Sequence, residues 1–269
     1  MLLCQKIIKF ATKKIRIQLN NLTKCFGEHT AVYIRQFTIN DGEVLGLVGN
    51  NGAGKTTLFR LMLDLAKATE GNVIMLPNKQ MLAADLQQSI ADPTAVPDEI
   101  DPAKSEDWKL LTGAFIDNSF LIDFLTAEEY FEFVGKVSGM TKEQVNERLE
   151  AFKAFMSDEI MGQKKYIRDF SAGNKQKIGI VATLLNSPQL VILDEPFNFL
   201  DPSSQNQLKR ILTEFNRSTG STVIVSSHNL QHTVDISTRV ALLEKGEIIE
   251  DIDNSDGKAE EILDKYFNI

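Results

Sequence analysis

The segment Gly49-Asn50-Asn51-Gly52-Ala53-Gly54-Lys55-Thr56-Thr57 fits the pattern G-x-x-x-x-G-K-[ST], and it constrains the fold more than any other stretch of the chain. Before it runs Val44-Leu45-Gly46-Leu47-Val48, a short apolar strand; after it, Leu58, Leu61, Met62 and Leu65 recur at helical spacing. Strand, glycine loop and helix in that order put a ring of main-chain amides at the end of a buried sheet. The glycines let the backbone wrap so that successive N–H groups point inward at an anion. The helix adds its positive end, equivalent to about half a charge. Lys55 then supplies a cation for the β- and γ-phosphates of a nucleotide, and Thr56 a hydroxyl for Mg²⁺. A glycine turn of purely structural purpose requires neither flank.

The rest of the chain continues the α/β theme. Ile15, Ile17 and Leu19 alternate with polar residues, as in a strand with one buried face, and Gly27 to His29 form a turn before an extended segment from Ala31 to Ile39. In the second half, Ser171 opens a helix carrying Ile178, Val181, Leu184 and Leu185. Leu190 to Leu193 and Val223 to Val225 are buried-strand runs with a helix, Leu208 to Phe215, between them. A last strand, Val240 to Leu243, turns at Gly246 into Ile248 and Ile249.

The middle is different. Pro93, Pro97 and Pro102 stand among Asp85, Asp92, Asp98, Glu99, Asp101, Glu106 and Asp107, the composition of a solvated loop over 78–108. Thr126 before Glu128 and Glu129 predicts a capped helix start, and Thr141 with Gln144 a capping box for the next helix. Residues 78–165 therefore form a loop plus a mostly helical insertion. No internal repeat is visible.

Length and composition set the outer limits. With 269 residues, 43% of them apolar, the chain suits one large α/β domain or two joined subdomains. No stretch reaches the roughly 18 apolar residues of a membrane-spanning helix, and Met1-Leu2-Leu3-Cys4 is too short for a signal-peptide core. Cys4 and Cys25 predict two reduced thiols, and Lys6, Lys9, Lys13, Lys14 and Arg16 a solvated basic extension. A formal charge of −8 argues against broad binding to nucleic acid.

Two further strand ends carry chemistry. Leu190 to Leu193 run into Asp194-Glu195-Pro196, and open α/β sheets bind ligands at the carboxyl ends of their strands. Asp194 is placed to hold the shell of Mg²⁺, and Glu195 to orient or deprotonate an attacking water. Two acids alone could equally be a turn or a helix start; beside the phosphate loop they become informative. Val223 to Val225 lead into Ser226, Ser227 and His228, so Asn50, Asp194 and His228 mark three such ends and turn His228 toward the terminal phosphate. Ser171-Ala172-Gly173-Asn174 reads as an ordinary helix cap or as a second anion cradle.

Together these elements resemble the nucleotide-binding domain of the ATP-binding cassette (ABC) ATPases over nearly the whole chain. Phe170-Ser171-Ala172-Gly173-Asn174 looks like that family's signature loop, with Ala172 and Asn174 where Gly and Gln are usual, and Lys175, Gln176 and Lys177 continue its pattern. Asn198-Phe199-Leu200-Asp201 resembles the D-loop, His228 the switch histidine, and Phe26 the aromatic that stacks on adenine. Alignment on Leu125-Thr126 places Asp117 where the family usually has its Q-loop glutamine, and a carboxylate there could still meet Mg²⁺.

The resemblance implies an α/β P-loop NTPase fold: a mainly parallel sheet core, an N-terminal antiparallel β subdomain and a helical subdomain insertion. On that plan about 13–77 and 166–250 form the catalytic core, about 78–165 the acidic loop and helical subdomain, and about 251–269 a C-terminal helix. It implies hydrolysis of ATP with Mg²⁺, with Glu195, His228 and Lys55 catalytic, Thr56, Asp194 and Asp117 at the metal, and residues 49–57 with Phe26 on the nucleotide. It also implies a head-to-tail dimer, homo- or heteromeric, in which Ser171 and Gly173 of one copy cover ATP held by the other. The expected setting is cytoplasmic, peripheral to the inner face of the cell membrane, driving separate membrane-embedded subunits. Leu125 to Tyr130, Ser227 to Leu230 and Arg239 to Leu243 resemble the multidrug and antibiotic export branch. The competing readings are a soluble ABC ATPase working with an iron–sulfur assembly scaffold or in a ribosome-linked task, and a regulatory subunit with little turnover.

Overall fold

A computed structural model describes residues 14–78 and 97–267 and, for 264–267, the backbone course alone. Lys6, Lys9, Lys13, Cys4, Asp85, Asp92 and Pro93 lie outside the described residues.

The chain opens with a hairpin. Strand β1 (Ile15–Phe26) turns at Gly27 into β2 (His29–Ile39), pairing Ile17 with Ile39 and Thr23 with Tyr33. Ile15, Ile17 and Leu19 are buried while Arg16 is exposed, the period-2 burial expected of a half-covered strand. The buried strand β3 (Val44–Val48) leads through the glycine loop into helix α1 (Lys55–Met62). Strand β4 (Glu70–Pro77) then returns antiparallel to β1, giving a three-stranded sheet in the order β2-β1-β4.

A short helix, α2 (Trp108–Leu111), precedes β5 (Thr112–Phe115). The helical part follows as α3 (Ala127–Val137), α4 (Lys142–Leu149) and α5 (Lys153–Met156). The capping box expected at Thr141 forms, and the capped start at Thr126 is one too: the Thr126 hydroxyl accepts from Glu129 N–H and the Thr141 hydroxyl from Gln144 N–H, and in each the side chain of the third residue accepts back from the cap N–H. The chain then runs through α6 (Ala172–Leu184), β6 (Leu190–Leu193), α7 (Pro202–Thr219), β7 (Thr222–Ser227), α8 (Leu230–Val234), β8 (Arg239–Glu244), β9 (Glu247–Asp253) and α9 (Ala259–Phe267).

These strands make a six-stranded sheet, β5-β6-β7-β3-β8-β9, parallel throughout except for β9. Alternate residues of its strands serve different cores. Leu45, Leu47, Ile192 and Ile224 pack with α1 and the antiparallel sheet through Phe59, Ile17 and Met75. Val191, Leu193, Val223 and Val225 face α6, α7 and the helical insertion through Ile178, Leu208, Phe131 and Phe155. Each such side chain contributes about 1.5–3 kcal/mol on burial.

Four features differ from the sequence reading. The four residues of β5 lie inside the 78–165 block yet pair with β6 as a core strand. The acidic stretch is not wholly solvated, since Ile100 bridges to Met75 and is buried, as is Trp108. Leu65 lies past the end of α1 and is exposed, because the helix stops at Met62. The terminal region 251–269 begins as the end of β9, with its helix starting only at Ala259.

Candidate functional site

Four adjacent parallel strands end on one edge of the sheet, and the next residues are functional candidates: Gly49 after β3, Asp194 after β6, His228 after β7, and Ile116-Asp117 after β5. The loop after β3 closes on itself, with Ala53 N–H donating to the Asn50 carbonyl at 3.1 Å. Gly54 sits at φ 109°, and a Cβ there would meet the Ala31 carbonyl at 2.4 Å, so only glycine fits. Asn50, Asn51 and Gly52 are exposed at the mouth, Gly49 and Ala53 are buried, and Thr57 is half-buried.

Lys55 is the first residue of α1 and is buried. Its ammonium donates to the Gly49 carbonyl at 2.6 Å and the Asn50 carbonyl at 3.3 Å, and stands 3.5 Å from Glu195 Oε1. A buried cation is thus held over the cradle by groups that an incoming phosphate can replace. Thr56 Oγ1 donates to Asp194 Oδ2 at 2.5 Å, and Ser226 Oγ donates to the other oxygen, Oδ1. Burial pushes the Asp194 carboxyl above the ordinary carboxylate range; the Ser226 and Thr56 hydrogen bonds pull it back, Glu195 adds repulsion and Lys55 attraction.

Glu195 adopts φ 47°, a left-handed conformation that costs a non-glycine residue about 1–3 kcal/mol and concentrates at functional sites. The surroundings enforce it. Its N–H donates to Ser226 Oγ at 2.9 Å, and its Oε2 lies 2.7 Å from His228 Nδ1 and accepts from His228 N–H at 3.3 Å. Ser226 therefore ties both acids to β7. Its polar neighbourhood was visible in the sequence, but its bridging role depends on the β6–β7 register and was not.

The structure brings Lys55, Thr56, Asp194, Glu195 and His228 together. Thr56 and Asp194 offer hard oxygen donors in mutual contact, a set suited to Mg²⁺, which favours one or two protein oxygens plus water and phosphate. Asp117 is placed differently. It caps the 3₁₀ turn Asn118–Phe120, accepting from Ser119 N–H at 2.7 Å, and its other oxygen pairs with Arg60 of α1 at 3.6 Å. Among the described residues no three His, Cys, Asp or Glu side chains gather as a metal cluster, so Asp117 is not grouped with Asp194 and Glu195.

The remaining candidates make contacts of their own. Phe26 is exposed, with Lys24 Nζ 4.8 Å from its ring centroid. Ser171 is the N-cap of α6, its hydroxyl accepting from Asn174 N–H at 3.2 Å. Gly173 follows in the first turn, where a Cβ would lie 2.6 Å from the Phe199 carbonyl. Asn174 reaches Glu159 at 3.5 Å.

Comparison with known proteins places this geometry in context. The family model described as "ABC transporter" matches residues 34–198. The chain is 32% identical to the uncharacterized ABC transporter ATP-binding protein YhcH of Bacillus subtilis, over 94% of this chain and 75% of that one. It is 30% identical to the bacitracin transport ATP-binding protein BcrA of Enterococcus faecalis, over 89% and 70% respectively. Among solved structures, the dimeric MJ0796 cassette superposes with a TM-score of 0.70 at 23% identity, over 88% of this chain and 98% of that one.

Proposed function

The chain belongs to the ABC transporter family as an ATP-binding, ATP-hydrolysing cassette, and from that premise we propose that it powers export through separate membrane subunits. The observation that carries the catalytic half is the convergence of Lys55, Thr56, Asp194, Glu195 and His228 on the carboxyl edge of β3, β6 and β7. Amides of residues 49–57 and the Lys55 ammonium bind the phosphates, and Phe26 stacks on the base. Glu195, oriented by His228, takes a proton from the attacking water. Mg²⁺, held by Thr56 and Asp194, would neutralise charge on the β- and γ-phosphates; Asp117 is the outer candidate on that side. Ser171 and Gly173 would cover the nucleotide of a second cassette, a role that suits a cap whose Ser171 is exposed on the surface.

Separate membrane subunits are inferred from the names of the relatives, which are ATP-binding proteins of transporters; no helix among the described residues is long and apolar enough to cross a bilayer. Export rests on the sequence likeness of Leu125 to Tyr130, Ser227 to Leu230 and Arg239 to Leu243 to the multidrug and antibiotic export branch, alongside a likeness to an ATPase named for bacitracin transport. On this reading the protein works at the inner face of the cell membrane. On this plan the core is about 13–77 and 166–250, joined by β5, with the acidic loop and the helical subdomain drawn from about 78–165 and the C-terminal helix from about 251–269.

Two measurements test the proposal. Lys55→Ala should lose tight MgATP binding in calorimetry, and unchanged affinity would refute the phosphate-loop roles. Crosslinking in native membranes should attach the 97–140 region to a polytopic membrane protein; attachment to a scaffold without membrane spans would instead favour the soluble-ATPase reading.

A further inference from the structure

Helix α6 carries the Ser171 cap at one end, and one side of its first turns lies against the loop that carries Glu195. Gln176 is buried, 4% exposed, in the second turn, and its amide donates to the main-chain carbonyl of Glu195 at 3.3 Å. Gly173, three residues earlier and so on the same helical face, abuts the carbonyl of Phe199, which is itself left-handed at φ 66°. The catalytic loop is thus pressed against α6 at both ends of a short segment containing two strained residues. The Glu195 carbonyl also accepts from Asn198 N–H at 3.1 Å, closing the turn that follows. At the other side of the same residue, Ser226 holds the N–H.

We propose that Gln176 is a positioning residue: by holding the Glu195 carbonyl it keeps that residue left-handed, with its carboxylate on His228, and fastens the catalytic loop to the helix whose cap serves the second cassette. The proposal rests on Glu195 being the base that activates water. Its chemical content is local. Without the side-chain amide the carbonyl keeps only its turn partner, the loop 195–199 relaxes toward ordinary backbone angles, and the carboxylate leaves the line between Lys55 and His228. The P-loop amides and Lys55 are untouched, so nucleotide binding is spared while turnover falls.

The test uses the full chain. Gln176→Met keeps the reach and removes the donor; kcat should fall about tenfold, equivalent to about 1.4 kcal/mol, with the KM for ATP within twofold of wild type. Gln176→Asn, which retains the amide one methylene short, should fall less, and it serves if the Met variant folds poorly. The discriminating arm is Gln176→Met combined with Glu195→Gln. If Gln176 acts through Glu195, the double variant turns over no more slowly than Glu195→Gln alone. An unchanged kcat, a loss shared equally by KM, or a full further loss in the Glu195→Gln background would each overturn the proposal. Normal turnover by Glu195→Gln itself would instead remove the role of Glu195, whatever Gln176 does.

Discussion

Replacing Glu195 by glutamine should move binding and turnover in opposite directions, and the structure sets both magnitudes. The change is isosteric, so a contact with His228, now 2.7 Å away, can persist while the negative charge disappears. That charge lies 3.5 Å from the Lys55 ammonium, which also must meet the phosphates. Opposite unit charges at this range attract by about 5 kcal/mol at an effective dielectric near 20. Hydration of the separated groups offsets most of that, leaving a net of about 1 kcal/mol that ATP no longer competes against. Affinity should therefore rise roughly fivefold. Loss of the general base should lower kcat by about 10²- to 10⁴-fold. Calorimetry with MgATP, phosphate-release kinetics and light scattering on one preparation measure the affinity, the rate and the accumulation of an ATP-bound dimer. A kcat within tenfold of wild type, or weaker ATP binding, would refute the reasoning.

Asp194 offers a pH test. Its folded pKa is raised by burial, so relative to the unfolded chain it stabilises below the ordinary carboxylate pKa of about 3.9, and that contribution is lost as pH rises through the folded value. Asp194→Asn should accordingly melt higher than wild type at pH 7, with the gap shrinking toward pH 4 in scanning fluorimetry, and should fail to hydrolyse ATP. Phe26→Ala removes an exposed ring and should leave the melting temperature unchanged while weakening ATP binding by the roughly 1–3 kcal/mol of a base–aromatic stack, read by calorimetry. Asp117→Gln breaks a half-exposed pair with Arg60, of the class worth about 0–1 kcal/mol; turnover at or above the wild-type rate is expected, and complete inactivity would assign Asp117 an essential role of its own.

The site was legible where chemistry and local structure share a short segment. The glycine loop announces its own strand and helix, Thr126 and Thr141 announce their caps, and the apolar run ending at Asp194 announces a strand edge. What escaped depends on partners distant in the chain. Thr112-Gly113-Ala114-Phe115 is too short and too small in its side chains to show a period, yet Gly113 fits because a Cβ would strike the Thr183 carbonyl at 2.4 Å as β5 docks under α6. Leu65 continues the helical spacing of Leu58 and Leu61, but α1 ends before reaching it. The Arg60–Asp117 pair joins residues 57 positions apart, and the Gln176 bond ends on a backbone carbonyl, which no side-chain pattern encodes.

Because β3 is wedged between β7 and β8, pairing Val44 with Val223 and Leu45 with Arg239, the strand that aims the phosphate loop is among the first made and the last to be seated. During synthesis both of its edges stay bare until β7 emerges, and one of them until β8 does; bare apolar strands invite association with other chains. The hairpin β1–β2 can form early from neighbours, whereas the nucleotide cradle waits on contacts of very high sequence separation. ATP therefore cannot template the growing chain. A product cut short before β8 should be recovered as aggregate, not as a weak binder.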